Sequence, residues 1–146
     1  MLRTISIKLI TTKEQREKLT QLQKTFNRAC NLVSAIAQEN RCWNRVDLHH
    51  LSYYKLRSSE VDEKKELGSQ MVCNAIRAVC DAYKVLKINK TKQVPKINFR
   101  DNASVHFDKR TYTLKNGGVS LYTLSKRIFV PTINFECTVH GCRNKH

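Results

Sequence analysis

The sequence predicts an α+β protein in which one barrel-like antiparallel β-domain is interrupted by a helical insertion. The N-terminal segment Leu2–Ile10 alternates apolar and polar residues and is rich in β-branched side chains, which is typical of a strand. The middle of the chain repeats apolar residues every three or four positions, as amphipathic helices do, and after Asn89 the period changes to two. Because an isolated strand has no partner, we expect the first strand to pair with the late strands.

The first helix is predicted to begin after Thr12, because Thr12 and Gln15 have the spacing of a capping box. It is expected to run to about Glu39, before the segment Asn40–Asn44 breaks the period. Its apolar stripe consists of Leu19, Leu22, Phe26, Cys30 and Val33.

Two shorter helices are predicted next, the second with Asp47 as its N-cap and the third with Ser69 as its N-cap. The charged stretch Ser58–Glu66 between them is predicted to be a loop. Their apolar positions are Leu48, Leu51, Tyr54 and Leu56 in the second helix and Val72, Ile76, Val79, Tyr83 and Leu86 in the third.

A meander of four to six strands is predicted after Asn89, where apolar residues alternate with polar ones. Asn116-Gly117-Gly118 is a turn signal, because Asn and Gly tolerate the left-handed backbone of tight hairpins. The alternating apolar residues are Ile97, Phe99, Val105, Phe107, Tyr112, Leu114, Val119, Leu121, Ile128, Val130, Ile133 and Phe135.

The charge balance favours a polyanionic partner. Lys and Arg number 27 against 12 Asp and Glu, which gives a net charge of +15 and a pI near 9.8. Such an excess favours nucleic acid, because each neutralised phosphate releases counterions; the alternative is a surface charged only for solubility. No apolar run approaches the roughly 20 residues that span a bilayer, and no signal peptide is recognisable. We therefore expect a soluble intracellular protein with reduced cysteines and no membrane partner.

Basic residues of the second half are interleaved with the predicted strands and with three rings, Phe107, Tyr112 and Tyr122. This pattern is typical of a groove that follows a nucleic-acid backbone, with rings on which bases stack. For each ring alone, burial in the core is the preferred interpretation; for the basic stripe as a whole, phosphate contact is preferred. The stripe consists of Lys87, Lys90, Lys92, Lys96, Arg100, Lys109, Arg110, Lys115, Lys126 and Arg127.

Polar side chains also cluster on two helix faces, where they have the spacing of helical neighbours. Asn, Gln and Arg can read base edges through paired hydrogen bonds, but bonding between helices is the preferred interpretation for these residues. The clusters are Asn27, Arg28 and Asn31 on the first helix and Gln70, Asn74 and Arg77 on the third.

No catalytic constellation is recognisable. Carboxylates with the convergence that a two-metal nuclease needs are not visible, and the four glycines form no phosphate-binding loop. His49 and His50 are adjacent, so they cannot share a helix face as metal ligands. The tail contains side chains of the types that bind zinc, but their spacing does not match that of known zinc sites. A frayed strand end is the preferred interpretation of this segment. We expect no enzyme activity, no cofactor and no bound metal; the four potential zinc ligands are Cys137, His140, Cys142 and His146.

The chain carries an ordered series of short motifs: Ile5–Gln15, Phe26–Asn31, Tyr54–Arg57, Leu67–Gln70, Ala75–Val79, Pro95–Arg100, Val119–Leu121 and Lys126–Ile128. In this order they resemble the TnpB family, the OrfB-type transposases of bacterial insertion sequences, which are related to the compact RNA-guided effectors of type V CRISPR systems. Each motif alone is weakly specific, whereas the ordered series covers essentially the whole chain.

The resemblance implies a wedge domain, an oligonucleotide-binding-like β-barrel formed by residues 1–11 and 96–146. It implies a three-helix recognition insertion with its connector at residues 12–95. Implied partners are a guide RNA and a double-stranded DNA target in DNA recombination, with no small-molecule substrate. The side chains expected to contact nucleic acid are Lys8, Tyr53, Tyr54, Gln70, Asn74, Arg77, Lys87, Lys90, Lys92, Lys96, Arg100, Lys109, Arg110, Lys126 and Arg127.

The sequence departs from the family's pattern in three respects. Thr11 and Lys126 stand where Pro and Gly are usual, and neither the RuvC-type acidic residues nor the paired Cys-x-x-Cys zinc ribbon occurs before His146. We therefore expect a truncated cytoplasmic, nucleoid-associated protein of a prokaryote that binds nucleic acid without cleaving it. Two alternatives stay open: the recognition subunit of a split nuclease, and a small structural or interaction protein, with or without stabilisation by zinc.

Overall fold

Three helices and a four-stranded antiparallel sheet make up the computed structural model, which confirms the predicted α+β class. It describes residues 4–57, 67–90 and 92–137, and the side chains of residues 134–137 lie outside this description. The predicted loop Ser58–Glu66 and the side chain of Phe135 therefore lie outside the described residues. The elements are β1 (Ile5–Leu9), α1 (Lys13–Asn40), α2 (Arg45–Arg57), α3 (Ser69–Val85), β2 (Tyr112–Lys115), β3 (Gly118–Leu121) and β4 (Ile128–Cys137).

The first strand pairs with the last, as the isolated N-terminal segment predicts. The strands lie in the order β1-β4-β3-β2 and curl into half a barrel. Lys8 on β1 stands opposite Ile133 on β4, so the three helices lie in sequence between two strands that are neighbours in the sheet. The predicted turn also forms: Lys115 pairs with Gly118, and Gly117 between them has a φ of 82°, which glycine adopts without strain.

The first helix begins as predicted, whereas the caps of the other two helices differ. The Thr12 hydroxyl accepts the N–H of Gln15, and the Gln15 side chain accepts the N–H of Thr12, which completes the capping box. The prediction of Asp47 as the second cap is wrong, because the Asn44 side chain accepts the N–H groups of Val46 and Asp47 and the helix begins earlier.

The third helix has Gly68 as its N-cap, so the prediction of Ser69 is wrong. The N–H of Gly68 donates to the hydroxyl of Tyr122 at 2.9 Å, and a Cβ at position 68 would stand 2.9 Å from that oxygen. Close approach to the ring therefore favours glycine at this corner, and Ser69 becomes the first helical residue.

Two hydrophobic clusters form the interior. The larger one lies among the three helices, and the smaller one lies on the inner face of the sheet around Val119, Leu121 and Val130. Leu19 of α1 packs against the sheet cluster, and Phe107 packs against both clusters, so the helices and the sheet share one interior. No helix in the described ranges is both long and apolar enough to cross a membrane.

The chain between α3 and β2 forms no strand in its described part, and turns at residues 89–92, 100–103 and 108–111 interrupt it. The prediction of strands around Ile97 and Phe99 and around Val105 and Phe107 is therefore wrong, and within the described residues three strands follow the helices instead of four to six. These four side chains pack against the helical cluster, together with the buried Val94. Polar side chains of α1 bind this backbone, so the segment does not need a neighbouring strand.

Candidate nucleic-acid interface

Residues 92–103, which we call the strap, lie along α1. The helix presents a row of polar side chains at spacings of three and four residues, which places them on one face. They are Gln23, Asn27, Asn31, Ser34 and Gln38. Asn27 and Ser34 are fully buried, so these groups need partners, and the strap backbone supplies most of them.

The row bonds the strap from end to end. The Gln38 side chain donates to the carbonyl of Val94 at 3.1 Å, and the Asn31 amide bonds both the N–H of Phe99 at 2.6 Å and its carbonyl at 2.9 Å. The Asn27 amide donates to the carbonyl of Ala103 at 2.9 Å. The sequence places Asn27 and Asn31 on one helix side, and their bonds join the helix to the strap.

A guanidinium holds the first residue of the strap and the chain just before it. Arg41, in a left-handed conformation after the last turn of α1, donates to the carbonyls of Asn89, Lys90 and Lys92 at 3.2, 3.0 and 2.8 Å. Tyr83 adds a buried anchor, because its hydroxyl donates to the carbonyl of Pro95 at 2.8 Å. The extended backbone is therefore held in place by side chains of α1 and α3.

The strap directs its cations to solvent. Val94, Ile97 and Phe99 face the helical cluster, whereas Lys92, Lys96 and Arg100 are exposed. None of these three cations forms an ion pair with any residue that the structure describes. The strap is thus a fixed backbone with unneutralised positive charge along one side.

A groove of about 350 Å³ lies between α2 and α3. It brings together three residues that the sequence proposes for base contact, Gln70, Asn74 and Arg77, because their spacing places them on one face of α3. Sequence reasoning missed the α2 side of the groove, since the orientation of α2 on α3 is not visible in local periodicity. That side contributes Arg45, His49 and His50.

The two amides of this groove already have an acidic partner. The carboxylate of Asp108 accepts from Gln70 at 2.7 Å, from Asn74 at 3.4 Å and from the Thr111 hydroxyl at 2.8 Å. Burial alone raises the pKa of Asp108, but hydrogen bonds from Thr111, Asn74, the Arg110 backbone and Gln70 outweigh it and hold the pKa below its usual 3.8. Asn74 is 5% exposed, whereas Arg77 is open to solvent.

The two tyrosines proposed for target contact lie side by side on α2. Tyr54 is 75% exposed, so its predicted place in the apolar stripe is wrong, and it is free for a partner. Tyr53 is half-buried against the helical cluster and stacks on His49 with ring centroids 4.8 Å apart. Of the two rings, only that of Tyr54 is therefore largely exposed to solvent.

The remaining predicted cations are all exposed, but they differ in whether their charged groups form hydrogen bonds within the protein. Lys8, Lys87, Lys90, Lys109 and Lys126 extend from the surface. The Arg110 guanidinium donates to the Gln70 side chain at 3.0 Å. The Arg127 guanidinium lies across the sheet and donates to the hydroxyls of Ser120 and Thr113 and to the carbonyl of Arg110.

The three rings considered for base stacking pack against the interior. Phe107 contacts both clusters, Tyr112 contacts the sheet cluster and Tyr122 contacts the helical cluster. Tyr122 also uses its hydroxyl on Gly68. The preferred interpretation of these rings as core residues is therefore confirmed.

Four cysteines have side chains that the structure describes. Cys30, Cys42, Cys73 and Cys80 are free thiols. Burial raises the pKa of Cys30 to about 12 and that of Cys80 to about 11, which suppresses the nucleophilic thiolate. The side chain of Cys137 and residues 138–146, where the alternative zinc site falls, lie outside the described residues. Within the described ranges no three metal-binding side chains converge.

Comparisons with protein-family models, with curated proteins and with solved structures found no match. The resemblance to TnpB therefore stays a prediction, together with the division of the chain into a wedge and an insertion.

Proposed function

We propose that this chain is a nucleic-acid-binding module, equivalent to the wedge and recognition parts of a TnpB-like insertion-sequence protein. In this proposal the curled sheet is an oligonucleotide-binding-like barrel, and the chain binds guide RNA and target DNA without a catalytic step. The observation that carries the proposal is the strap, whose exposed cations stand on a backbone held by α1.

A held strap suits phosphate binding for an energetic reason. A flexible basic segment must lose conformational entropy when it binds, whereas the strap backbone is already ordered by hydrogen bonds. Extended chain rises about 3.3 Å per residue, so Lys96 and Arg100 lie roughly 13 Å apart, which allows each to contact a different phosphate. The result is a series of phosphate contacts that fixes the position of a polyanion without reading its sequence.

The groove between α2 and α3 is the proposed place for base contact. Arg77 and Arg45 supply charge at its rim, and the amides of Gln70 and Asn74 have the donor and acceptor pattern that suits adenine. Base contact by Gln70 requires it to exchange the carboxylate of Asp108 for a base edge. We therefore propose that the strap supplies affinity and the groove supplies discrimination.

Salt-dependent binding of a structured RNA tests this function. The double variant Lys96→Ala/Arg100→Ala removes two phosphate contacts, so the slope of log affinity against log salt should become shallower by about 2. Filter binding at several salt concentrations measures the slope. The matched control is Lys13→Ala/Arg16→Ala, which removes the same charge from exposed positions at the start of α1, away from the strap.

The control should shift the slope by much less than the strap variant, because its cations lie outside the proposed contact surface. Equal slopes for the two double variants would contradict the strap as the binding surface and would leave only general attraction by net charge. A wild-type slope near zero would reject nucleic-acid binding by this chain.

A further inference from the structure

The outer face of the sheet carries an exposed apolar row. Along β4 the residues alternate, so Val130 points into the sheet cluster while Phe129, Pro131 and Ile133 point to the opposite side. Phe129 and Ile133 are each 45% exposed. The inner face packs against Leu19 of α1, so this row lies on the surface turned away from the helix that binds the strap.

Strand register places cations on both sides of the row. Lys8 on β1 stands directly opposite Ile133, which puts its side chain on the same face. On the other side, Lys115 pairs with Gly118, and Gly118 pairs with Pro131. The side chains that the structure describes on the four strands include no Asp or Glu.

The ring of Phe129 is held over the neighbouring strand. A Cβ on Gly118 would stand 2.6 Å from the ring's Cζ and 3.0 Å from its Cε2, so the missing side chain is what lets the ring lie there. The same Cβ would stand 2.5 Å from the carbonyl oxygen of Val130. Packing over the Gly118 backbone restrains the ring and leaves nearly half of its surface for a partner.

The polar groups around the ring are already used. Ser120 stands opposite Phe129 and Thr113 stands opposite Ser120, and both hydroxyls accept from the Arg127 guanidinium at 3.0 and 3.1 Å. These hydroxyls are therefore poorly placed to read base edges or a sugar hydroxyl. What this face offers is an aromatic surface, an apolar neighbour and cations.

We propose that this face binds an unpaired segment of nucleic acid, with one base stacked on Phe129, a neighbouring base against Ile133, and phosphates on Lys8 and Lys115. The site rests on the proposed function but is separate from the strap and the groove. Bases in a duplex are stacked on each other and cannot lie on a ring, so the site selects single strands. The flanking charged side chains that the structure describes, Lys8 and Lys115, are cations, which favours a polyanion over an apolar protein segment.

The test compares Phe129→Leu with wild-type protein on 12-nucleotide oligo(dT), oligo(U) and a DNA duplex at fixed salt. Leucine keeps an apolar side chain but removes the aromatic face, so affinity for both single strands should fall about 5-fold or more. Duplex affinity should change less than about 2-fold. Leu114→Ala is the control, because it removes another exposed apolar group, at 66% exposure, from the same sheet.

Circular dichroism and thermal unfolding are the measurements that check whether the Phe129→Leu variant folds. Phe129→Trp gives a second readout: its indole keeps the aromatic face, so single-strand affinity should persist, and its emission should be quenched when a base stacks on it. Unchanged binding of both oligonucleotides by Phe129→Leu would overturn the proposal. A loss of affinity for only oligo(dT) or only oligo(U) would overturn recognition by stacking, because a base stacks on a ring whichever sugar carries it.

The outcomes separate this inference from the proposed function. If the strap variant Lys96→Ala/Arg100→Ala weakens duplex binding while Phe129→Leu changes nothing, the strap is supported and the sheet site is rejected. If Phe129→Leu weakens single-strand binding while the strap variant changes nothing, the sheet site is supported and the strap is rejected. If the wild-type protein binds neither the three probes nor the structured RNA, both are rejected.

Discussion

At the scale of single residues, the side chain of Asp108 joins the third helix to the segment just before β2. It accepts from Gln70 and Asn74 on α3, and Thr111 just before β2 bonds the same carboxylate. The bonds stabilise the ionised form, so the pKa of Asp108 is lower in the folded protein than in the unfolded chain. Its contribution to stability is therefore present above about pH 4 and is lost as the pH falls through the folded pKa.

The variant Asp108→Asn should lower the free energy of unfolding by about 1 kcal/mol at pH 7, because a neutral acceptor bonds these donors more weakly. As the pH falls through the folded pKa of Asp108, the difference from wild type should shrink, since the wild-type carboxyl then becomes protonated as well. Urea unfolding at a series of decreasing pH values measures both effects. The control Asp101→Asn changes an exposed acid and should stay within about 0.5 kcal/mol of wild type.

Some residue-level features follow from the sequence, and others depend on the assembled fold. The capping box of Thr12 and Gln15 is local, so its spacing alone predicts it. The cap of α3 is not local, because Gly68 is selected by the hydroxyl of Tyr122, far along the chain. The bond between Gln70 and Asp108 is hidden for the same reason, since no periodicity relates positions so far apart.

At the scale of elements, the strap shows how a helix can replace a neighbouring strand. Asn31 is central, because its side chain bonds both backbone groups of Phe99 in the way that a residue on an adjacent strand would. Polar side chains at every third or fourth position of the helix thereby supply hydrogen-bond partners to the backbone of a segment that lies outside the sheet.

Asn31→Ala leaves both backbone groups of Phe99 without their partner, which should lower the free energy of unfolding by about 1–3 kcal/mol. Hydrogen exchange at the Phe99 amide should become faster than in wild type, which places the effect on the strap and not on the helix. Gln21→Ala, at an exposed position of the same helix, is the control and should leave both quantities nearly unchanged. Unchanged exchange at Phe99 would contradict the role of Asn31.

The strap also explains why the number of strands is overestimated from sequence. Ile97, Phe99, Val105 and Phe107 alternate with polar residues, and an extended segment on a helix shows the same period of two as a strand in a sheet. The two cases differ in what the segment pairs with, which here is α1 and not a strand. The polar row of α1 does not by itself show that it binds this segment. Where the partner is local, as in the hairpin at Gly117, the prediction is correct.

At the scale of the whole molecule, positive charge lies on three separate surfaces. The strap lies on the helical side, the groove lies between α2 and α3, and the outer face of the sheet is turned away from α1. The net charge of +15 is visible in the composition, but its division among these surfaces depends on how the elements pack. Composition therefore predicts the class of partner, and only the fold indicates which surface could hold which part of that partner.

The pairing of β1 with β4 also determines the order in which the protein can fold. The helices form from local contacts, whereas the bonds between the polar row of α1 and the strap join residues 56 to 80 positions apart, and the pairing of β1 with β4 joins the two ends of the described chain. Closing long loops is slow, so we expect the amides of α1 to be protected early and those of β1 last in pulse-labelled hydrogen exchange during refolding. Simultaneous protection would contradict this order. On the ribosome, β1 is synthesised before β4 and must then wait, with its backbone groups unpaired, until β4 has emerged.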